Sequence, residues 1–270
     1  MAADTAEFFG TLPQQEMQRI ANALWPLLKG DPRYAYEGRF VGLDRPDLAG
    51  VEVLAALAGT QGGTASFFVD AGGENPITSA LQARGYTTDR WDHLMAGEAG
   101  IAISRDIVDH YSLPTGLKLH EVGRATTEAQ MQSFAEMALS CGVLLPAGRA
   151  LRGETRNSVF YVLLDATGEP VSCSGAVLRN QPGSPFADAS WWGMLATRED
   201  MRGRGLSLYL GALAMVTMAD RFGARRFYTG VRTDNAVSQK LCRRLGLGDH
   251  GLTVMAVLDP ARFGNTKMTR

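Results

Sequence analysis

Apolar and polar positions alternate along this chain with two periods, one typical of helices and one typical of strands. The predicted helices carry an apolar face or lie between capping residues, and they are 13–29, 76–83, 127–139, 206–222 and 236–245. The predicted strands are short apolar or alternating runs between Gly, Pro, Asn and Asp turns, and they are 39–43, 65–69, 117–122, 159–164, 170–178, 190–197, 226–231 and 252–258. This order of elements predicts a mixed α/β fold.

The rhythm is clearest in the second part of the chain. A strand and a helix are followed by a hairpin around Asp165-Ala166-Thr167-Gly168, and then by strand, helix, strand, helix and strand. The helix at 206–222 is apolar almost all round, which predicts burial on more than one side. We therefore divide the chain into a first domain (1–96), a connecting segment (97–116) and a second domain (117–270).

A repeat links the two parts. The run Phe67-Phe68-Val69-Asp70, followed by Asn75 and Arg84-Gly85-Tyr86, parallels a later set, which is Phe227-Tyr228-Thr229-Gly230, Asn235 and Leu245-Gly246-Leu247. The Phe-to-Asn spacing is eight residues in both sets, and the Asn-to-Gly spacing is ten in the first and eleven in the second. Two explanations stay open. Strand–capped helix–Gly is a common pattern in α/β proteins, or the chain holds two copies of one fold, the first degraded.

Composition and charge narrow the classes of function. The chain has 270 residues, of which 45% are hydrophobic and 20% charged, so a folded protein with a core is expected. Twenty-seven Lys and Arg against 28 Asp and Glu leave a formal charge of −1. Such a balance lacks the broad positive field that nucleic acid or an anionic membrane favours, and neither is expected as a partner.

Cysteine usage and the absence of targeting patterns indicate a cytoplasmic protein. Cys141, Cys173 and Cys242 are an odd, scattered set without a CxxC motif, which favours reduced thiols. The first residues are acidic and polar, unlike a secretory signal, and the longest nearly apolar stretch (206–219) is too short to span a bilayer. The histidines lack metal-ligand spacing, so no metal is expected.

The segment from Thr197 to Leu208 (TREDMRGRGLSL) carries the clearest chemical signal. It leaves a predicted buried strand and enters a predicted buried helix, with glycines that allow close backbone approach. Free N–H groups and the helix dipole favour an anion at such a helix start, and the neighbouring arginines add positive charge. The pattern predicts a phosphate or pyrophosphate site, although a solvated basic turn would produce the same residues.

Two motifs favour the interpretation of this segment as a phosphate or pyrophosphate site. Arg202-x-x-Gly205-x-Ser207 resembles the Q/R-x-x-G-x-G/A pyrophosphate loop of the GNAT superfamily of acyl-CoA-dependent N-acyltransferases. Downstream, the run from Asn235 to Leu247 (NAVSQKLCRRLGL) is similar to that family's N-x-x-[AS]-x-x-[LF]-Y-x-x-x-G-F motif. The resemblance spans roughly 117–258. It implies that residues 1–96 are a second, degenerate GNAT-like unit, which has no R-x-x-G-x-G loop.

The resemblance implies a sheet that opens at the end of the 190–197 strand, with the pantetheine arm of acetyl-CoA inserted there. The backbone N–H of Leu195 would face the thioester oxygen, where negative charge develops. The residues that the resemblance assigns to the cofactor are Leu195, Ala196 and Thr197 on the strand, Arg202, Gly203, Arg204, Gly205, Leu206 and Ser207 in the loop, and Asn235 and Ser238 later. Asn235 is equally suited to be a helix N-cap, and the two roles are compatible.

The catalytic residues are harder to assign. The tyrosine that the family uses as an acid is replaced by Cys242, which is either a weak acid or a small buried apolar residue. Tyr228 lies on the strand beside the expected acyl site and either contributes its hydroxyl or packs in the core. Glu199 and Asp200 fall in the turn before the loop and are expected to be solvated. No general base stands out.

The resemblance favours an enzyme that moves an acetyl or short acyl group from acetyl-CoA to a primary amine on a small molecule or a protein. The groove between the two parts and the 140–157 and 180–189 loops are expected to select the amine. The resemblance also allows a homodimer that pairs exposed sheet edges, and the oligomeric state stays open. One alternative is a non-catalytic acyl-CoA sensor or scaffold. A third interpretation keeps only an anion-binding α/β domain for a nucleotide-like ligand.

Overall fold

The chain folds into a mixed α/β structure, described here for residues 7–72 and 75–263 of a computed structural model. The helices are α1 (Leu12–Leu28), α2 (Gly50–Gln61), α3 (Pro76–Ala83), α4 (Glu98–His110), α5 (Glu128–Ser140), α6 (Gly148–Leu151), α7 (Leu206–Phe222), α8 (Ala236–Arg244) and α9 (Pro260–Phe263). The strands are β1 (Tyr34–Tyr36), β2 (Val41–Leu43), β3 (Gly63–Asp70), β4 (Thr87–Ala96), β5 (Lys118–Glu121), β6 (Ser158–Leu164), β7 (Pro170–Val177), β8 (Ala189–Thr197), β9 (Arg226–Val231) and β10 (Gly248–Leu258).

One large sheet runs through the molecule. Its eight strands lie in the order β3-β10-β4-β9-β8-β7-β6-β5, while β1 and β2 form a separate two-stranded sheet. Neighbouring strands of the large sheet are antiparallel except for β8 and β9, which are parallel. The mixed α/β class predicted from the sequence is confirmed.

The two parts of the chain exchange strands within this sheet. The strand β4, from the first part, lies between β9 and β10, and β10, near the end of the chain, lies between β3 and β4. The order β3-β10-β4-β9 is unchanged when the unit β3–α3–β4 is swapped with β9–α8–β10. The two units are therefore related as copies, and each completes the sheet of the other.

The asparagines of the sequence repeat occupy equivalent places in these units. Asn75 precedes α3, and its side chain accepts a hydrogen bond from the backbone N–H of Ile77 at 2.9 Å. Asn235 precedes α8 and accepts from the backbone N–H of Ser238 at 3.0 Å. Each side chain satisfies a donor that the first turn of a helix leaves free. The repeat thus corresponds to a repeated supersecondary unit, in agreement with a tandem arrangement.

Several elements of the first part are not apparent in the sequence pattern. The helix α2 is one of them, and it ends at Gly62, a left-handed C-cap with φ of 90°. This helix is buried on most of its surface and so shows little amphipathic periodicity. The strand β4 is rich in polar residues, and the segment 97–116, interpreted as a connection, contains α4, which packs against α7.

The helix α7 sets the position of β8, which carries part of the expected site. Trp192 on β8 is fully buried, and its indole N–H donates to the carbonyl of Gly211 in α7 at 2.9 Å. A Cβ atom at residue 211 would lie 2.7 Å from the Trp192 ring, so only glycine permits this contact. Burying a side chain of this size contributes about 3 kcal/mol or more to folding, which fixes the strand firmly on the helix.

None of the helices in the described ranges, 7–72 and 75–263, has the length and apolar character needed to cross a membrane.

The strand exchange predicts that the two parts depend on each other for folding. Fragments 1–116 and 117–270, produced separately, should each lack a cooperative denaturant transition, because β4 and β10 lose their neighbours. Co-expressed fragments should associate and regain a transition near that of the intact chain, measured by circular dichroism. A fragment that unfolds cooperatively on its own, at the midpoint of the intact protein, would contradict this interpretation of the topology.

Candidate functional site

The parallel strands β8 and β9 separate after a short stretch of pairing. Their register covers only Ala189 with Arg226, Ser190 with Phe227 and Trp191 with Tyr228. Beyond that point β8 continues to Thr197 and β9 to Val231 without pairing to each other. A cavity of about 170 Å³ opens at this fork.

A bulge in β8 turns part of its backbone out of the sheet pattern. Pairing with β7 jumps from Cys173–Ala196 to Gly175–Gly193, and Met194 has a φ of 57°, unusual for a residue with a side chain. Leu195, inside the bulge, has a register partner on neither β7 nor β9, and it lines the cavity. Its polar main chain therefore lies at the cavity wall without a strand neighbour.

The turn after β8 prepares the start of α7 for an anion. Gly203 and Gly205 have φ values of 77° and 76°, in the left-handed region that disfavours side chains, and Gly205 is the N-cap of α7. A second cavity of about 360 Å³ lies here, with Thr197, Arg202, Lys240 and Arg244 in its wall. The N–H groups of the first helical turn have no partner within the helix, so they add to the positive field of these side chains.

Contacts from a distant segment hold this turn in place. Tyr111, just after α4, donates its hydroxyl to the carbonyl of Arg204 at 2.8 Å and stacks on Tyr209 with ring centroids 4.7 Å apart. The hydroxyl oxygens of Ser207 and Thr197 lie 2.6 Å apart, which joins the helix start to the strand end. Sequence reasoning missed Tyr111 because it lies in the connecting segment, outside any motif.

Three residues of the later motif line the cavity at the fork. They are Asn235, Ser238 and Cys242, which lie on one face at the start and along the length of α8. Cys242 is 1% exposed, and burial raises the pKa of its thiol to about 12. The thiol therefore keeps its proton at neutral pH.

The other catalytic candidates lie away from the cavity. Tyr228 is fully buried, and its hydroxyl donates to the side-chain oxygen of Asn180 at 3.1 Å. Burial also raises the pKa of Tyr228 well above its usual value. Asp200 is exposed and pairs with Arg198 at 2.7 Å. Glu199 is exposed as well.

The walls of both cavities are short of acidic groups. Among the residues that the structure describes, no Asp or Glu lines either cavity. Several wall residues were not predicted from the sequence to belong to a site. In the cavity at the fork they are Arg39, Phe40, Phe67, Trp91 and Thr229, and in the cavity at the start of α7 they are Lys240 and Arg244. Of the two loops expected to select a substrate, 140–157 contributes Gly142, Val143 and Leu144 to the wall. The wall includes no residue of the 180–189 loop within the described part of the chain.

The equivalent turn of the first part also borders a cavity, of about 310 Å³, but it carries carboxylates in place of glycines. The order β2–α2–β3 matches β8–α7–β9, which places the turn 44–49 where the second part has its glycines. Asp47 accepts a hydrogen bond from the N–H of Gly50, the first residue of α2, at 2.9 Å. Asp44 accepts from the N–H of Phe67 at 3.0 Å. A carboxylate, that of Asp47, therefore bonds the start of α2, and its negative charge disfavours an anion there.

Potential metal ligands are not clustered in the part of the chain that the structure describes. Within residues 7–72 and 75–263, no three His, Cys, Asp or Glu side chains form a group that could hold a metal ion.

Comparisons with known proteins agree with this geometry. Residues 126–247 match the model of the acetyltransferase (GNAT) family. A GCN5-related N-acetyltransferase from Kribbella flavida is similar in structure, with a TM-score of 0.55 and 15% identity, over 90% of this chain and 95% of that chain. A putative GNAT-family acetyltransferase from Novosphingobium aromaticivorans has a TM-score of 0.53 and 19% identity, over 84% of this chain and 85% of that chain.

A third similar structure bears on the repeat. It is a tandem GNAT protein from the clavulanic acid biosynthesis pathway, with a TM-score of 0.51 and 15% identity, over 80% of this chain and 74% of that chain. At such identities the likeness is one of fold. No curated protein sequence matches this chain.

Proposed function

We propose that the protein transfers an acetyl or other short acyl group from acetyl-CoA to a primary amine, since residues 126–247 match the model of the GNAT acetyltransferase family. The observation that carries this proposal is the fork between β8 and β9. There a bulged strand leaves main-chain groups without a strand partner, beside the start of α7, whose free N–H groups suit an anion.

The residues present fit the donor in charge and shape. The cavity at the start of α7 has Arg202, Lys240 and Arg244 in its wall, which suits the phosphates of a CoA thioester. The cavity at the fork suits the pantetheine arm, since Leu195, Asn235 and Ser238 line it. The proposed path runs along the end of β8, past Ala196 and Thr197, and along α8.

The chemistry proposed is direct attack of the amine on the acyl carbon. The nitrogen forms a bond to that carbon, the carbon–sulfur bond breaks, the amine releases a proton and the sulfur gains one. The backbone N–H of Leu195 donates to the carbonyl oxygen as its negative charge grows. A fixed donor of this kind lowers the barrier because it needs no reorganisation during the reaction.

Proton transfer is assigned to solvent rather than to a side chain. The Cys242 thiol, with a pKa of about 12, is a much weaker acid than an ordinary thiol, whose pKa is about 8.5, so donation to a departing thiolate is unfavourable. The hydroxyl of Tyr228 is committed to Asn180 and does not reach the cavity wall.

We also propose a cytoplasmic location, in keeping with the three free cysteines.

Acetyl-CoA affinity should depend on the turn before α7. Arg202→Ala is expected to weaken acetyl-CoA binding about tenfold, since a hydrogen bond to a charged group contributes about 1.5–3 kcal/mol. Gly205→Val should also weaken it, because its φ of 76° disfavours a branched side chain and the new Cβ lies 3.2 Å from the Tyr111 ring. Isothermal titration gives both affinities, and melting temperatures confirm folding.

A matched control is available in the same turn. Arg204 is exposed and is not part of the cavity wall, so Arg204→Ala should change the affinity less than Arg202→Ala does. Equal affinities of the wild type and Arg202→Ala, both folded, would remove the assignment of this turn to the donor.

Replacement of the thiol separates packing from catalysis. Cys242→Ala should leave the rate of thiol release within a few-fold of the wild type, because a thiol with a pKa of about 12 is a poor proton donor. The assay follows free CoA with acetyl-CoA and an amine present, beside acetyl-CoA affinity as the control. A collapse of the rate in a variant that folds and binds normally would make Cys242 the acid. A protein that binds acetyl-CoA yet never releases thiol would be a sensor.

A further inference from the structure

We propose that the amine acceptor carries a carboxylate, and that Arg39 binds this carboxylate in the cavity at the fork of β8 and β9. This inference rests on the proposed function and specifies its substrate class as small amino acids rather than simple amines or polyamines. It comes from the charged side chains near Arg39, where arginines outnumber carboxylates.

Arg39 reaches the site from the first part of the chain. It lies between β1 and β2, is 8% exposed, and lines the cavity. Its guanidinium carbon lies over the Trp191 ring at 4.4 Å from the centroid, a cation–π contact that favours this position of the group. Only the Nε atom is committed to a carboxylate, that of Glu37 at 3.3 Å. Among the described residues, no hydrogen bond engages the two terminal nitrogens.

The neighbouring carboxylates are already used by another arginine. Arg179 is completely buried and donates through Nη1 to both oxygens of Asp44 at 3.0 and 3.1 Å. Its Nε donates to the second oxygen of Glu37 at 3.2 Å. Asn180 adds a hydrogen bond to Asp44 at 2.8 Å. Glu37 is therefore shared between two arginines, and Asp44 belongs to Arg179.

A third arginine makes the imbalance larger. Arg156 donates to the carbonyl of Leu178 at 2.8 Å, to the carbonyl of Asn180 and to the side-chain oxygen of Gln181 at 3.3 Å. These partners are neutral, and burial lowers the pKa of Arg156 to about 10. Three arginines thus stand against two carboxylates in this cluster, which is Glu37, Arg39, Asp44, Arg156 and Arg179.

The excess charge points to an anionic group of the ligand. Burial also lowers the pKa of Arg39, but a guanidinium keeps its proton, so the desolvated cation lacks a full counter-ion. A carboxylate entering the cavity would meet the two terminal nitrogens in the parallel geometry that arginine favours. The second arginine in the wall, Arg232, is already paired with Asp89 at 3.1 Å, so the excess charge lies with Arg39.

The cavity wall also lacks a group that would hold the amine in its protonated form. Within the described chain, this wall contains no Asp, Glu or His. A polyamine or a lysine side chain brings only positive charge and would be repelled, whereas an amino acid brings its own negative charge to Arg39.

The test pairs each amino acid with the amine that lacks its carboxylate. Alanine with ethylamine, phenylalanine with phenethylamine and lysine with cadaverine are assayed for thiol release from acetyl-CoA. The wild type should favour the amino acid by at least about tenfold in kcat/KM, the size of one charge-assisted contact. Arg39→Gln should raise KM for the amino acid about tenfold and leave the amine unchanged.

Two measurements guard against a simple loss of structure. Arg39→Lys keeps the charge but loses the paired geometry, and it should retain part of the preference. Acetyl-CoA affinity and melting temperature should be preserved in at least one of these variants. Equal rates for both members of each pair, in an active wild type, would overturn the inference alone. No thiol release with any amine of either series would overturn it together with the proposed function.

Discussion

The early separation of β8 and β9 is the constraint on which the site depends. Main-chain groups left unpaired at such a fork cost about 1–3 kcal/mol each when buried, so a sheet would normally close over them. Here β9 is paired on its other side with β4 over five residues, from Asp92–Val231 to Ala96–Phe227. On the other side, β8 is paired with β7 and fixed to α7 by Trp192. The fork is therefore held open from both sides.

The exchanged strand gives the first part of the chain a function in the second. It supplies β4, which holds β9, and Arg39 and Phe67, which line the cavity. In its own turn at 44–49, Asp47 bonds the start of α2 and Asp44 bonds β3. The two copies have therefore diverged in role: one keeps the open helix start and the glycines, and the other provides neighbours and a wall. The proposed donor site therefore lies in the second part of the chain, and the first part contributes residues to its wall.

The second part of the chain was predicted well because its signals are local. The helix at 206–222 and the strand that precedes it follow from apolar periodicity, and the glycines at 203 and 205 mark the turn between them. Asn235 was expected to cap its helix, and it does so. What escaped prediction depends on contacts between distant residues. Arg39 and Tyr111 reach the site only through the fold, and their neighbours in sequence carry no motif.

Some buried elements were not predicted because their residues are polar. The strand β4 contains Asp89, Arg90, Asp92 and His93, which suggest a surface segment, although His93 is fully buried against aromatic rings. The hydroxyl of Tyr228 pointed to chemistry in the sequence, but the fold turns it toward Asn180. A sequence pattern shows which residues are polar, whereas burial and partners decide whether they can react.

The most direct measurement is an amide NMR titration of the ¹⁵N-labelled full chain with acetyl-CoA. The donor is proposed to bind at the fork of the second part and at the start of α7, and not at the equivalent turn of the first part. The amides of Leu195 and of residues 203–207 should show saturable shifts, whereas those of residues 44–45 and 47–49 should stay unmoved. Shifts at 44–45 and 47–49 with Leu195 unaffected, or no shift anywhere at millimolar acetyl-CoA, would contradict this proposal.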